Sequence, residues 1–311
     1  MLELQPDLAF TTGQAERLLE ASFGGPVVCS RLERLSGGLV NTVVLLEFDR
    51  APYRVVVKLH RGAGHAFEAE ARALEYLRTQ TTCPVPRVYR TATTADVIPY
   101  AFLLLEYVPG RCLDGLRLEP AVRADIETQL ADVLGELHHH RGHHWGRIAD
   151  GGSSDSWVDT FTVRLREARA HPRVRERLEP RALEVVDRAI EVAPIVLSGS
   201  AVPTLVHGDV WDGNIIVRRD RGRWRLAALL DPDLQFADPE YELAYLEVFD
   251  ARREAFISAY RRHHESRPGY EQRRLVYWLH TALVHVALFG DEFFRDFAVS
   301  TATAINRSAA P

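Results

Sequence analysis

The chain has 311 residues and a mass of 35.1 kDa, which is too long for one small core and suits two lobes of ordinary size. Hydrophobic residues make up 46% and charged residues 26%, proportions typical of a soluble globular protein. The net charge of -5 excludes an overall positive field that would attract nucleic acid or an anionic membrane.

The first third of the chain is predicted to form an antiparallel sheet with one helix. Runs rich in β-branched residues cover Val43–Phe48, Tyr53–Leu59 and Ala101–Tyr107, and a short turn separates the first two. Between the second and third runs, apolar residues at helical spacing predict a helix over Ala66–Arg78.

The remainder is predicted to be mainly helical, with one short β-rich insert. The helical patterns cover Pro120–His140, Thr160–Ala170, Pro180–Val196, Glu240–His263 and Tyr270–Phe289. Within the insert, Ile215–Val217 and Trp224–Leu230 are candidate strands. The pattern changes at Val108, so we expect an α+β fold with an N-terminal lobe of residues 1–108 and a larger C-terminal lobe of residues 109–311.

The most specific pattern is Val-His-Gly-Asp-Val-Trp-Asp-Gly-Asn-Ile at residues 206–215, followed across a predicted hairpin by Asp231. Phosphoryl transfer depends on positioning and charge neutralisation more than on covalent chemistry. Asp209 suits the residue that orients an attacking hydroxyl and accepts its proton. Oxygens of Asn214 and Asp231 suit Mg²⁺, which prefers oxygen ligands. A lone His-Gly-Asp is typical of a turn, but the spacing to Asn214 and Asp231 favours the catalytic interpretation.

A loop and a lysine upstream suit the phosphates of a nucleotide. The residues of the loop in question are Ser36, Gly37, Gly38 and Asn41. Backbone amides in a glycine loop can approach phosphate closely, although such a loop is also typical of a plain turn. Lys58 ends an apolar strand, where a lysine is costly unless it is paired. Glu70 is its predicted partner, because Glu68 points about 200° away on the same helix.

These residues resemble those of the kinase-fold small-molecule phosphotransferases, which include aminoglycoside phosphotransferases and choline kinases. Further strings make the chain more similar to the fructosamine (ketosamine) 3-kinases, over residues 31 to 297. These strings are Gly37-Gly38-x-x-Asn41, Phe67-Glu68-Ala69-Glu70-Ala71, Ala101 to Tyr107, His207 to Asn214, Ser156-Trp157-x-x-x-Phe161, Pro268 to Tyr277 and Leu288-Phe289-Gly290.

The resemblance implies a two-lobed protein-kinase-like fold and a role for each matching residue. It implies a catalytic Asp209, Mg²⁺ ligands Asn214 and Asp231, a phosphate-anchoring pair Lys58 and Glu70, an adenine-binding hinge at Glu106 and Val108, and a sugar-binding Trp211. Pro232 follows Asp231 where a protein kinase has Phe-Gly, which argues against a protein kinase. The linker from His138 to Asp155 is shorter than in a fructosamine kinase and is more similar to that of aminoglycoside phosphotransferases.

Two groups of polar residues are predicted to have structural rather than chemical roles. The histidines His138, His139, His140, His143 and His144 could form a metal cluster, but neighbours on a helix point in different directions. A solvated helix end is therefore the prediction. Asp238 and Glu242 are predicted to cap a helix start, with support of the catalytic loop as the alternative.

Other features indicate where the protein works. Cys29, Cys83 and Cys112 lack CxxC spacing and cannot all pair internally, which indicates a reducing compartment. Residues 1–10 lack the pattern of a signal peptide, and the apolar stretch Leu275–Phe289 is too short for a bilayer. We therefore expect a cytoplasmic protein, monomeric or dimeric, with no nucleic-acid or membrane partner.

The sequence thus predicts an enzyme that uses ATP and Mg²⁺ to phosphorylate a hydroxyl of a small polyhydroxylated molecule. A ketosamine is the leading acceptor, and an aminoglycoside or related natural product is the alternative. A catalytically silent nucleotide-binding module is the alternative of another class. It is disfavoured because Lys58, Asp209, Asn214 and Asp231 are all present.

Overall fold

The computed structural model describes residues 8–35, 41–62, 65–152, 154–199, 201–249, 254–265 and 267–308, which contain ten α-helices and eleven β-strands. The chain forms two compact units. One comprises Met1–Val122 with Asp212–Asp233, and the other Arg123–Trp211 with Leu234–Pro311. The predicted α+β fold, with an antiparallel N-terminal sheet and a mainly helical remainder, is confirmed. The functional division at residue 108 stays a prediction.

The first unit is built on a five-stranded antiparallel sheet with the strand order β1-β2-β3-β5-β4. Its strands are β1 (Cys29–Arg34), β2 (Thr42–Phe48), β3 (Arg54–His60), β4 (Val88–Ala92) and β5 (Ala101–Glu106). The three predicted strands are therefore present to within a residue or so at each end. Strand β3 lies at the centre of the sheet, where Lys58 pairs with Val43 of β2 on one side and with Leu103 of β5 on the other.

Each face of this sheet is covered by apolar residues of a helix, α1 (Thr12–Phe23) or α2 (His65–Gln80). Phe102 and Leu104 of β5 belong to the core that contains residues of α1, whereas Leu103 and Leu105 belong to the core that contains residues of α2. This is the alternation expected of a strand buried on both faces. Only α2 was predicted, so α1 is an addition to the expected lobe.

A hairpin and one short strand form a second, smaller sheet in the first unit. Its strands are β6 (Arg111–Cys112), β9 (Ile215–Asp220) and β10 (Arg223–Leu229), in the order β10-β9-β6. Ile215 lies opposite Leu229, so the residues just outside the open end of the hairpin are held side by side. The Leu230 N–H donates to the Asn214 carbonyl at 2.8 Å and extends this pairing.

The second unit is mainly helical. Its elements are α3 (Pro120–Leu137) from Arg123 onward, β7 (Gly146–Arg147), α4 (Trp157–Ala170), α5 (Pro172–Arg177), α6 (Pro180–Leu197), β8 (Thr204–Val206), β11 (Gln235–Ala237), α7 (Pro239–Phe249), α8 (Glu254–Tyr260), α9 (Tyr270–Leu288) and α10 (Glu292–Ser308). The strands form a sheet in the order β7-β11-β8. An aromatic core of Trp157, Phe161, Tyr241 and Tyr277 joins α4, α7 and α9. Among the described helices, none combines the length and apolar character needed to cross a bilayer.

Several helix boundaries differ from the prediction; α3, for example, ends at Leu137 rather than His140. The helix expected over Glu240–His263 is present as α7 and α8, and residues 250–253 between them lie outside the described residues. Helix α4 begins earlier than predicted because the Ser156 side chain caps it, accepting a hydrogen bond from the Asp159 N–H at 3.2 Å.

Candidate functional site

Lys58 contacts two carboxylates in the first unit. On β3, Val57 and Leu59 face the core that contains α1, so Lys58 between them faces the opposite side of the sheet, toward α2. Its ammonium donates to Glu70 of that helix at 2.7 Å and also to Asp231. The contact between Lys58 and Glu70 is the one that strand alternation and helical phase predict.

The electrostatics of this triad are unbalanced. Burial lowers the pKa of Lys58, but the charges of Asp231 and Glu70 raise it by more than burial lowers it. The net pKa is therefore raised, and the lysine stays charged. Burial, with help from Asp231 and against the opposing effect of Lys58, raises the pKa of Glu70 to about 7. One ammonium therefore serves two carboxylates, and the cluster can accept another positive charge when both carboxylates are ionised.

Asp231 and Asn214 lie at the open end of the β9–β10 hairpin. Asn214 ends the short 3-10 turn Asp212–Asn214 and is only 7% exposed. Asp231 has a φ of 55°, a conformation that costs a residue with a side chain roughly 1 kcal/mol or more and recurs at functional sites. Their oxygen donors, beside the excess carboxylate charge, fit Mg²⁺. That these two residues bind the ion stays a prediction.

The other nucleotide-binding candidates are spread along the same unit. The Asn41 Oδ1 lies 3.2 Å from the His60 Nδ1 and so connects the start of β2 with the end of β3. Glu106 ends β5 and accepts from the Arg87 N–H at 3.1 Å, and the half-buried Val108 follows it. Ser36, Gly37 and Gly38 lie outside the described residues.

In the second unit, a buried glutamate of α7 holds the loop that contains Asp209. Glu242 is 1% exposed and accepts from the Gly208 N–H at 2.7 Å and the His207 N–H at 3.3 Å. His138, which is fully buried, lies 2.7 Å from the same carboxylate through its Nε2. Gly208 has a φ of 87°, which favours glycine and allows this N–H to reach α7.

These contacts decide two of the alternatives left open by the sequence. Asp238 does cap α7, since its Oδ1 accepts from the Glu240 N–H at 3.0 Å. Glu242 instead supports the loop: burial raises its pKa, but His138, His207 and the Gly208 N–H lower it more, and the net pKa lies below the ordinary value. The prediction of a solvated helix end was wrong for His138, because packing against Tyr260 and Glu242 buries it.

Asp209 has a partner that sequence reasoning missed. The Tyr245 hydroxyl donates to the Asp209 Oδ1 at 2.5 Å. Tyr245 follows Glu242 by three residues on α7, so both lie on one face of the helix. That spacing was the available signal, but it has meaning only once α7 is known to contact the loop.

Trp211 lies on an aromatic surface of the second unit. It is half-buried, and its ring centroid is 6.3 Å from that of Phe249, which is 37% exposed. Phe249 in turn contacts Tyr245 edge-on at 5.0 Å and His285 at 5.4 Å. The rings connect the Trp211 side chain with the tyrosine that binds Asp209.

The predicted site residues thus fall into two described sets. Lys58, Glu70, Asn214 and Asp231 belong to the first unit, and Asp209 and Trp211 to the second. Trp211 is followed directly by Asp212, so the chain passes from one set to the other within residues 209–214.

Comparison with known proteins identifies relatives over nearly the whole chain. The sequence model of the family described as "Fructosamine kinase" matches residues 12–306. A protein of Vibrio parahaemolyticus named "Probable ketoamine kinase" is 27% identical over 274 residues, which cover 84% of this chain and 87% of the relative.

Solved structures share the fold at lower identity. A Haemophilus somnus crystal structure named "Putative fructosamine-3-kinase" has a TM-score of 0.74 at 19% identity, covering 94% of this chain and 96% of its own. A thermostable mutant of the aminoglycoside phosphotransferase APH(4)-Ia, in a ternary complex with AMP-PNP and hygromycin B, has a TM-score of 0.67 at 20% identity, covering 96% and 99%. The kinase-like fold predicted from the sequence is confirmed.

Proposed function

Because the chain belongs to the fructosamine kinase family, we propose that it transfers the γ-phosphate of ATP to a sugar hydroxyl of a ketosamine. Membership of this family makes the chain a small-molecule kinase. The observation that carries the acceptor side of the proposal is the hydrogen bond from Tyr245 to Asp209, in a loop that Glu242 fixes. A carboxylate held in this way suits a residue that must meet a hydroxyl in one orientation.

In this proposal the first unit binds the nucleotide. Lys58, held by Glu70, contacts the phosphates, and Asn214 and Asp231 would hold Mg²⁺, which when bound neutralises phosphate charge. ATP as the donor is supported by the AMP-PNP complex of the aminoglycoside phosphotransferase that shares the fold. We assign nucleotide binding also to the other residues that the sequence predicts for it, which are Ser36, Gly37, Gly38, Asn41, Glu106 and Val108.

Asp209 orients the acceptor and receives its proton. The acceptor oxygen forms a bond to the γ-phosphorus while the bond between that phosphorus and the bridging oxygen breaks, and ADP leaves. The proton of the attacking hydroxyl passes to the Asp209 carboxylate as the new bond forms. The hydrogen bond from Tyr245 keeps this carboxylate in place through the transfer.

The aromatic surface around Trp211 supports a sugar as the acceptor. Trp211 is half-buried and Phe249 is 37% exposed, and aromatic rings of this kind suit the apolar side of a sugar ring. A ketosamine offers such a ring together with hydroxyls for phosphorylation. Aminoglycosides are the second candidate because the neighbour of the same fold was crystallised with hygromycin B.

A screen for ADP release tests the proposal. Purified protein is given ATP and Mg²⁺ with a ketosamine, the corresponding free sugar, the corresponding amine or hygromycin B. We expect ADP release with the ketosamine and far less with the free sugar or amine. Release with hygromycin B alone would favour the second candidate, and the absence of ADP release with every acceptor would leave the catalytically silent module as the better interpretation.

A pair of variants connects turnover to Asp209. Asp209→Asn should lower kcat by ~10²- to 10⁴-fold, the usual contribution of a general base, without weakening ATP binding. Asp220→Asn makes the same change at an exposed position of β9 and should leave kcat unchanged. Turnover of Asp209→Asn close to that of Asp220→Asn would refute the assignment.

A further inference from the structure

Two imidazoles and a carboxylate meet on the surface of the second unit, where the end of α3 approaches the turn after α8. One ligand atom from each of Glu136, His139 and His263 lies within 4.8 Å of the other two. The Glu136 carboxylate is 3.9 Å from the His139 Nδ1 through one oxygen and 3.9 Å from the His263 Nδ1 through the other. This set has a different composition from the oxygen donors expected to bind Mg²⁺.

The close approach of His263 to α3 depends on Gly135. A Cβ at position 135 would lie 2.4 Å from the His263 Cγ, far inside contact distance, so any other residue would push the imidazole away. The next residue, His264, fixes the turn because its Nε2 lies 2.9 Å from the Gly135 carbonyl oxygen. The sequence around Gly135 therefore brings His263 to the face of α3 that carries Glu136.

A second carboxylate orients the His263 ring. The His263 Nε2 lies 3.0 Å from the Asp132 Oδ1, and the same oxygen accepts a hydrogen bond from Arg262 at 3.3 Å. When Nε2 donates its proton to Asp132, the lone pair is on Nδ1, the nitrogen that faces Glu136. A histidine that donates one ring N–H to a carboxylate and points the other nitrogen at a ligand cluster is the arrangement found around bound metal ions.

We propose that Glu136, His139 and His263 bind a divalent transition metal ion of the zinc class, with Asp132 orienting His263. Two imidazole nitrogens, a carboxylate oxygen and one open position form a tetrahedral set that Zn²⁺ accepts. Bonds of about 2.1 Å require ligand atoms about 3.4 Å apart, so the observed separations, 3.9 Å to the two carboxylate oxygens and within 4.8 Å across the set, must shorten by side-chain rotation. Glu136 and His139 are exposed and can rotate.

Such an ion would join the end of α3 to the turn that follows α8. His138, the residue next to His139, contacts the Glu242 carboxylate that holds the loop of Asp209. We therefore expect the bound ion to raise the thermal stability of the second unit, where both connections lie.

Binding is measured on tag-free, full-length protein after chelator treatment, with Zn²⁺ by calorimetry and Co²⁺ by visible absorption. The intensity of the Co²⁺ bands distinguishes four-coordinate from six-coordinate binding. We expect one Zn²⁺ per chain, a four-coordinate Co²⁺ spectrum and a higher melting temperature with Zn²⁺. His263→Ala and Glu136→Gln should each lose this binding and the associated stabilisation.

A positioning variant and a matched control separate this site from adventitious binding. Asp132→Ala should weaken Zn²⁺ binding by ~10- to 100-fold, the usual effect of removing a carboxylate that orients a ligating histidine. His144→Ala removes another exposed histidine that contacts a carboxylate, Asp155, at 3.0 Å, and should bind Zn²⁺ like the parent.

Two results would overturn the proposal. One is the absence of a stoichiometric Zn²⁺ in the parent protein. The other is equal binding by the parent, His144→Ala and Glu136→Gln, which would show adventitious surface binding only. Glu136 is exposed, so its replacement by glutamine should fold even if His263→Ala does not.

Discussion

Replacement of Glu242 by glutamine should disturb the loop of Asp209 while preserving the shape of the side chain. The carboxylate accepts from the Gly208 N–H and approaches the His138 Nε2, both at 2.7 Å, and its other near donor is the His207 N–H at 3.3 Å. Glutamine keeps one oxygen, but its amide group donates hydrogen bonds. One of the buried donors that face Glu242 would therefore meet another donor.

The magnitude follows from these contacts. Hydrogen bonds to a charged group contribute roughly 1.5–3 kcal/mol each, and a buried donor left without an acceptor costs about 1–3 kcal/mol. If glutamine keeps one of the two short bonds of Glu242 and loses the other, we expect the free energy of unfolding to fall by about 2–4 kcal/mol. For kcat we expect a loss of about 10- to 100-fold through misplacement of Asp209, because a displacement near 1 Å can have that effect.

The pH dependence of stability should change as well. The pKa of Glu242 is depressed in the folded protein, so its contribution to stability is present above the unfolded value of 4.5 and is lost as the pH falls through the folded pKa. Glu242→Gln lacks this contribution, and its acid transition should therefore show less loss of stability than that of the parent.

Denaturant unfolding and steady-state kinetics check these expectations. Glu191→Gln makes the same substitution at an exposed position of α6 and serves as the control. We expect a lower kcat for Glu242→Gln with the KM for ATP nearly unchanged, since the residue acts through the acceptor-side loop. If stability fell by less than about 0.5 kcal/mol, the usual range for a surface change, and kcat matched the control, the argument would be refuted.

Three further predictions concern the other candidate residues. Asp231→Ala should abolish the Mg²⁺ dependence of ATP binding, and a titration with unchanged Mg²⁺ dependence would remove Asp231 from the ligand set. Trp211→Ala should raise the KM for the acceptor and leave the KM for ATP unchanged; equal effects on both, with a lower melting temperature, would mean that Trp211 only packs the loop. The pKa of Glu70 is raised to about 7, so its stabilising contribution is present below the unfolded value of 4.5 and is lost as the pH rises through 7. Glu70→Gln should therefore lose less stability between pH 5 and pH 8 than the parent, by at most about 3 kcal/mol, in denaturant unfolding at the two pH values.

The features predicted well from the sequence depend on short-range periodicity. The contact between Lys58 and Glu70 follows from strand alternation and helical phase. Because β3 is buried on both faces, each of its side chains must point to one face or the other, and tertiary contacts have little freedom to change that direction. Asn214 and Asp231 likewise come together through a local hairpin. Helix α1 was not predicted, although the sequence contains a signal for its start. Thr11 and Gln14 form a reciprocal capping box there.

The features that were missed depend on contacts between distant parts of the chain. Tyr245 is 36 residues from Asp209, and His138 is 104 residues from Glu242. In each case the residue type allows many local interpretations: a tyrosine on a helix is usually a packing residue, and a histidine in a run of histidines is usually solvated. Only the tertiary arrangement of α3, α7 and the loop selects one of them.

Helix α7 gives these separate contacts a common origin. Its residues Glu242, Tyr245 and Phe249 are spaced by three and four positions, so they form one stripe along the helix. The stripe contacts the loop in the order of the loop's own sequence: Glu242 meets Gly208, Tyr245 meets Asp209, and Phe249 meets Trp211. The position of the proposed base, Asp209, and that of the proposed sugar-binding Trp211 are therefore set by contacts with a single helix. A change that rotates or shifts α7 would displace both together, which gives the Asp-Pro-Glu-x-Glu stretch that begins this helix a role in the site without any contact with substrate.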